Sequence, residues 1–198
     1  MSERFGATTK ERILDAAEGL MLEKSFHSLG LTEILAAVNV PKGSFYHHFE
    51  SKEQFGIELL RHYMARAYEH KRTWLQDRSQ FPDALERLVR YLEAGMAKFV
   101  ENGCRPICLV VKLCGEVATF SDGMREELAA GFAQWDKLSA DVIREGQKQG
   151  SIAKSLGVQE AVTVIGSLWL GAMLQAQVMR NVSPMREAVA FLRSHLAA

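Results

Sequence analysis

Net charge is the first thing this 198-residue chain lacks: 24 Lys and Arg stand against 24 Asp and Glu. That balance argues against non-specific binding to a polyanion and is neutral about a small dimeric reader with a local basic face. Cysteine is scarce, three in all. An odd number in a chain without an apolar leader suits free thiols in a reducing cytoplasm rather than a secreted disulfide framework. Long apolar runs are missing too. The most apolar stretch, 162–179, is interrupted by Thr163, Ser167, Gln175 and Gln177. It reads as a helix buried at a subunit interface and not as a membrane span. Nor is there a Gly-rich phosphate loop, a Ser nucleophile elbow or a metal-spaced Cys/His pairing. Cys104, Cys108 and Cys114 do not follow a C-x2-C pattern, and no nearby histidine completes a zinc set. The expectation is no enzyme, no cofactor and no metal.

What is present is a globular composition, 47% hydrophobic and 24% charged, without repeats or low-complexity tracts. The fold class expected is all-α, with nine helices and no strand. Thr8 and Glu11 form a capping box that starts the first helix, which runs to about Lys24. A second short helix has Thr32 as its cap and ends at Asn39-Val40-Pro41, because proline disfavours helix in the residue before it. A third follows, then a long fourth from Ser51 towards Asp77. Phe81-Pro82-Asp83 restarts the chain into a fifth helix, stopped at Glu101-Asn102-Gly103. Pro106 opens a sixth, ended by Ser121-Asp122-Gly123. A seventh runs to about Gln149, an eighth covers 158–180, and Ser183-Pro184 begins the ninth.

The segment Pro41-Lys-Gly-Ser-Phe-Tyr-His-His-Phe-Glu-Ser-Lys-Glu53 carries the most information. Phe45 and Phe49 are four apart, so they share a face and can bury together. Lys42, Ser44, Tyr46 and His47 lie off that face. His47 and His48 are adjacent, so their rings are expected to diverge. Ser51 and Gln54 have the spacing of a second capping box. Two short helices joined by a tight turn fit a helix-turn-helix, whose second helix enters the DNA major groove. From spacing alone they equally fit two small helices in any α-domain. Residues 1–52 hold six basic residues (Arg4, Lys10, Arg12, Lys24, Lys42, Lys52) against seven acidic ones. Only the face holding Lys42, His47, His48 and Lys52 is locally basic.

On these residues the segment from about Thr9 to Leu60 resembles the DNA-binding domain of the TetR family of transcriptional repressors. The matching elements are Ile13-Leu-Asp-Ala-Ala17, Lys24-Ser-Phe26, Leu31-Thr-Glu-Ile34 and above all Lys42–Phe49 followed by Ser51-Lys-Glu53. The resemblance implies residues 1–52 as reader, residues 53–198 as effector-sensing and dimerisation domain, and helix four (52–78) as the link. It implies a cytoplasmic repressor on double-stranded operator DNA. Lys42, Gly43 and Ser44 would approach the bases or phosphates, while Thr32, Tyr46, His47 and Lys52 would hold the backbone.

Helix eight is unusual in carrying Ala161, Gly166, Ser167, Gly171, Ala172 and Ala176 among large apolar residues. A water-facing side should be more polar than this. A second subunit resolves the conflict, and the resemblance implies a homodimer through the last two helices, about 158–197. A central core helix in a monomer would have the same composition.

Cys108, just after Pro106, falls in the expected first turn of helix six. Free backbone N–H groups there would stabilise a thiolate, with Arg105 and Lys112 adding positive charge. Cys104 or Cys114 would be resolving partners. A small buried hydrophobe is the plainer reading of Cys108. The run Cys108-Leu-Val-Val-Lys-Leu-Cys-Gly-Glu-Val117, Ser121-Asp-Gly-Met-Arg125 and 168–176 are similar to the electrophile-responsive N-ethylmaleimide-reductase repressor branch of the family. That likeness implies a sensing role for Cys108. A pocket within helices four to eight would have Tyr63, Trp74, Tyr91, Phe99, Trp135 and Trp169 near its wall. Three readings follow: a repressor released by an electrophile or oxidant at Cys108, the same repressor gated by a non-covalent ligand with Cys108 passive, and a small helical thiol enzyme.

Overall fold

Helices account for almost all of the computed structural model, which describes residues 8–117 and 119–198. The first seven residues, where no apolar leader was read and where Arg4 lies, fall outside the described residues, as does Ala118. Nine helices run along the described chain: α1 Thr9–Glu23, α2 Leu31–Ala37, α3 Lys42–His48, α4 Lys52–Gln76, α5 Ala84–Glu101, α6 Leu109–Val117, α7 Asp122–Gln149, α8 Val158–Met179 and α9 Ser183–Leu196. Among these residues the only β pairing is an isolated bridge between Ile152 and Ala197.

The start of α1 follows the expected chemistry. Glu11 N–H donates to Thr8 Oγ1 at 3.2 Å, and Thr8 N–H donates back to Glu11 Oε2 at 2.8 Å. Such a cap stabilises a helix end by about 1 kcal/mol. Three other local expectations are corrected. The residue capping α2 is Gly30, not Thr32, which lies exposed inside the first turn. At α4 half of the capping box forms: Gln54 N–H donates to Ser51 Oγ at 3.0 Å, while the Gln54 side chain turns to Glu58 Oε1 instead. Helix α6 begins at Leu109 rather than Pro106. Asn102 Nδ2 donates to the Pro106 carbonyl at 3.2 Å, which ties the segment before the helix to the end of α5.

The chain forms two compact units. One comprises Met1–Ala65 with Cys108–Ala129, the other Arg66–Ile107 with Ala130–Ala198. In the first, α1 buries Ile13, Leu14, Ala17 and Met21, and α2 buries Ile34 and Leu35. Phe45 and Phe49 bury together, ring centroids 4.9 Å apart, and both meet Phe55 of α4 at 5.4 and 5.1 Å. Burying each such ring contributes roughly 1.5–3 kcal/mol, and the trio fixes α3 on the start of α4.

The second unit packs α5, α8 and α9 around Leu88, Leu92, Ile143, Val162, Ile165, Val189 and Leu192. A fully buried Arg87 sits inside it. Its guanidinium donates to the carbonyls of Leu75, Phe81 and Pro82 at 2.9, 3.0 and 2.8 Å. Its Nη2 faces Glu145 Oε2 at 2.8 Å as an ion pair, off the line of a good hydrogen bond. Three carbonyls and one counter-charge thus offset the cost of keeping this guanidinium inside, although Nη2 is left without a hydrogen-bond acceptor.

By length and composition α8 is apolar enough to cross a membrane. Here it packs on α9, with one side left open. Val164, Leu174, Val178 and Met179 on α8 and Phe191 on α9 are all exposed, Val178 by 79%. Apart from the adjoining backbone of their own helix, Gly166 and Gly171 have no atom within 4 Å of where a Cβ would stand. Nothing in their own chain requires these two to be glycine.

Candidate DNA-reading and thiol site

The third helix owes its orientation to Phe45 and Phe49. With these rings inside, Lys42, Gly43, Tyr46 and His47 are exposed and Ser44 is half-buried. Tyr46 keeps 57% of its surface free, unusual for a ring with nothing to cover it. Gly43 has open space beyond its Cα, so its backbone is bare on the outer face. The histidine rings do not diverge: His47 and His48 are 5.1 Å apart in an edge contact.

Thr32 is exposed on α2. Lys52, expected to face outward with them, is committed within the unit. Its Nζ donates to the His27 carbonyl at 3.0 Å and lies 5.2 Å from the Phe26 ring centre. The same ring lines a cleft in the helix-turn-helix with Leu29, Ile34, Phe45 and Tyr46.

The thiol lies in this same compact unit. Cys108 immediately precedes α6, and its carbonyl accepts the helical N–H of Lys112 at 3.4 Å. Tyr63 of α4 donates its O–H to Cys108 Sγ at 3.5 Å and accepts the Leu109 N–H at 3.2 Å. One hydroxyl therefore holds both the sulfur and the first free amide of α6. Burial, then the neighbouring Cys108, push the Tyr63 phenol well above its ordinary value. It stays a donor at neutral pH.

Lys112 does not stand over the thiol as expected. Its Nζ donates to the Leu22 carbonyl of α1 at 2.8 Å, and burial lowers it from the ordinary lysine value. Farther along α6, Glu116 Oε1 accepts the His27 N–H at 3.1 Å. Phe120 stacks on Phe26 at 5.5 Å, and Ser121 Oγ donates to Glu53 Oε1 at 2.7 Å. Helix α6 and the start of α7 are thus bonded to α1, to the turn after it and to the start of α4. No sequence signal announces these ties, because each pairs a side chain with a group 68 to 90 residues away.

All three cysteines are free thiols. Burial, with Cys108 as second cause, pushes the Cys114 thiol up to about 11, so it is protonated at neutral pH and a poor nucleophile. Cys104 belongs to the other unit, in a left-handed conformation with φ 56° at the end of α5. Arg105 is exposed beside it. Tyr63 stands against Cys108 rather than on a wall of the second unit. In that unit Phe99 is core, Trp169 packs over Gly95, and Trp74, Tyr91 and Trp135 are half-buried. Among the described residues no group of three His, Cys, Asp or Glu could hold a metal ion.

A short helix presenting free polar groups, carried by a three-helix unit and continued by a long helical domain, defines a helix-turn-helix transcription regulator. Residues 13–59 match the family described as bacterial regulatory proteins, tetR family. Residues 84–192 match the tetracyclin repressor-like C-terminal domain. The chain belongs to the TetR family of DNA-binding transcriptional repressors, which is not an enzyme family. It is 34% identical over 198 residues to the HTH-type transcriptional repressor NemR of Escherichia coli K12, covering 100% of this chain and 98% of that one. It is 32% identical over 176 residues to the repressor DhaR of Mycobacterium sp. GP1, covering 89% and 86%. The crystal structure of the reduced form of E. coli NemR superposes with a TM-score of 0.87 at 32% identity, covering 96% of this chain and 98% of that one.

Proposed function

We propose that this repressor leaves its operator when an electrophile or oxidant reacts at Cys108. The observation that carries the reading is the Tyr63 hydroxyl, shared between Cys108 Sγ and the Leu109 N–H inside the unit that holds the reading helix. The hydroxyl fixes the sulfur beside the first amide of α6, so a change at Sγ is felt at the helix start. With a maleimide, the sulfur forms a bond to one alkene carbon and the adjacent carbon takes a proton from water. The added bulk at Sγ displaces the Tyr63 hydroxyl and leaves the Leu109 N–H unpaired. The strain passes along α6 to the backbone of Leu22, near the end of α1, and of His27, within the turn leading to α2. Likeness to NemR over the full length supports the same assignment.

The protein works as a cytoplasmic homodimer joined through 158–197. The open α8 face with its two glycines supports this, since small residues let helices approach closely. Two reading helices then meet successive major grooves, about 34 Å apart. Lys42, Gly43 and Ser44 reach base edges or phosphates there, and Thr32, Tyr46 and His47 position the backbone. Lys52 contributes by fixing the His27 turn.

The test is binding to DNA carrying the protein's own upstream region, at fixed salt, before and after N-ethylmaleimide, with mass spectrometry of the cysteines. Release should track modification of Cys108 and vanish in Cys108→Ser. Tight binding that survives full modification of Cys108 overturns the reading.

A further inference from the structure

A cleft of about 190 Å³ opens within the helix-turn-helix itself, between α2, α3 and the start of α4. Its floor is made by Ile34, Phe45 and Phe55, each fully buried. Tyr46 stands at its edge and keeps 57% of its surface free, so the cleft is reached from solvent. Among the described residues Lys52 is the one charged side chain on its lining.

Such a hollow holds water poorly, because a trapped water needs two to four polar partners. Dry apolar space of about 150 Å³ is enough for one benzene ring, whereas a drug-sized ligand takes roughly 300 Å³ or more. The cleft therefore suits a single aromatic ring. Its rim sets the charge of the occupant. Of the three N–H groups on Lys52 one donates to the His27 carbonyl at 3.0 Å, and among the described residues no carboxylate comes within ion-pair distance. The ammonium is held over the Phe26 ring, 5.2 Å from its centre. Its other N–H groups are left for an anion at the mouth. A carboxylate lies in line with the ring that carries it, so it stays at the rim while the ring enters.

We propose that this cleft binds a small aromatic carboxylate, with the ring against Ile34, Phe45 and Phe55 and the carboxylate paired with Lys52, and that filling it opposes DNA binding. Tyr46 belongs both to the cleft edge and to the outer face of α3, so an occupant displaces a ring that the reader offers to DNA. The site forms no covalent bond and does not depend on Cys108. Its effect on DNA rests on the reading of Tyr46 as DNA-facing; the binding does not.

The probe is 4-methylbenzoate, with 4-methylbenzamide as its neutral match, titrated into the full-length protein and followed by isoleucine-methyl NMR. The Ile34 methyl should shift saturably, with a Kd tighter than about 1 mM. The amide should bind about fivefold more weakly or worse, and Lys52→Met should weaken the carboxylate by about as much. Leu31→Trp fills the cleft from its lining and should abolish the Ile34 shift. It also serves if Lys52→Met misfolds. Cys108→Ser should bind the carboxylate as the wild type does. At ten times its Kd the carboxylate should lower affinity for the protein's own upstream DNA about tenfold, in wild type and in Cys108→Ser alike. An unmoved Ile34 methyl, equal binding of the amide, or carboxylate affinity unchanged in Leu31→Trp or Lys52→Met overturns the site. DNA affinity unchanged at saturating carboxylate overturns the competition.

Discussion

The hydroxyl of Tyr63 lies 3.5 Å from Cys108 Sγ and 3.2 Å from the Leu109 backbone nitrogen. Tyr63→Phe keeps the ring and removes both bonds. The unpaired Leu109 N–H should cost about 1–3 kcal/mol of stability. Loss of the donor to sulfur should slow the reaction of Cys108 with N-ethylmaleimide about tenfold. Urea denaturation and timed mass spectrometry of the adduct measure the two effects. An unchanged reaction rate would remove the hydroxyl from the sensing chemistry.

Lys42 is exposed and sits at the start of the reading helix. If it neutralises a phosphate, Lys42→Ala should lower the slope of log affinity against log salt by about one for each reader on the DNA. Affinity for unrelated DNA should fall in parallel. Fluorescence anisotropy across a salt series checks this; an unchanged slope with altered base preference would assign Lys42 to a base edge.

Leu174 and Val178 are exposed by 52% and 79%, so much of their apolar surface is left uncovered by their own chain. Leu174→Asp with Val178→Asp should leave helicity intact and convert the protein from dimer to monomer in sedimentation. Operator affinity should fall with it, since one half-site alone is then held. A dimer that survives both changes would move the interface off this face.

Hydrogen bonds from Arg78, with Arg87 as the second helper, hold the Glu145 carboxyl below its ordinary value of 4.5, and partial burial opposes them. A carboxyl lowered in the folded state contributes stability above the unfolded value and loses it as pH falls through the folded one. Glu145→Gln should therefore destabilise the protein by about 3 kcal/mol at pH 7, by leaving the buried Arg87 without its counter-charge. The gap from wild type should narrow as pH drops below 4.5. Denaturant midpoints at pH 7 and pH 3.5 measure both.

Local spacing was enough for some features and not for others: the Ser51–Gln54 box forms only by half, and Gly30 rather than Thr32 caps α2. The Thr8–Glu11 box and the Phe45–Phe49 pair need only residues three and four apart, and both form as their spacing implies. At the start of α6 the Leu109 N–H is taken by Tyr63 from 46 residues away, a partner that no local spacing announces. Lys52, grouped by the sequence with the DNA-facing residues, is exposed and also donates to the His27 carbonyl 25 residues away, a tie that spacing does not show.

The ties from α6 to α1 and the following turn end on main-chain groups, the Leu22 carbonyl and the His27 amide. Backbone atoms are the same whatever side chains the reader carries. The outward residues of α3 can therefore be exchanged while the bonds from α6 to α1 and the turn are left untouched. Retargeting this chain to new DNA and retaining the coupling proposed above are then separable problems.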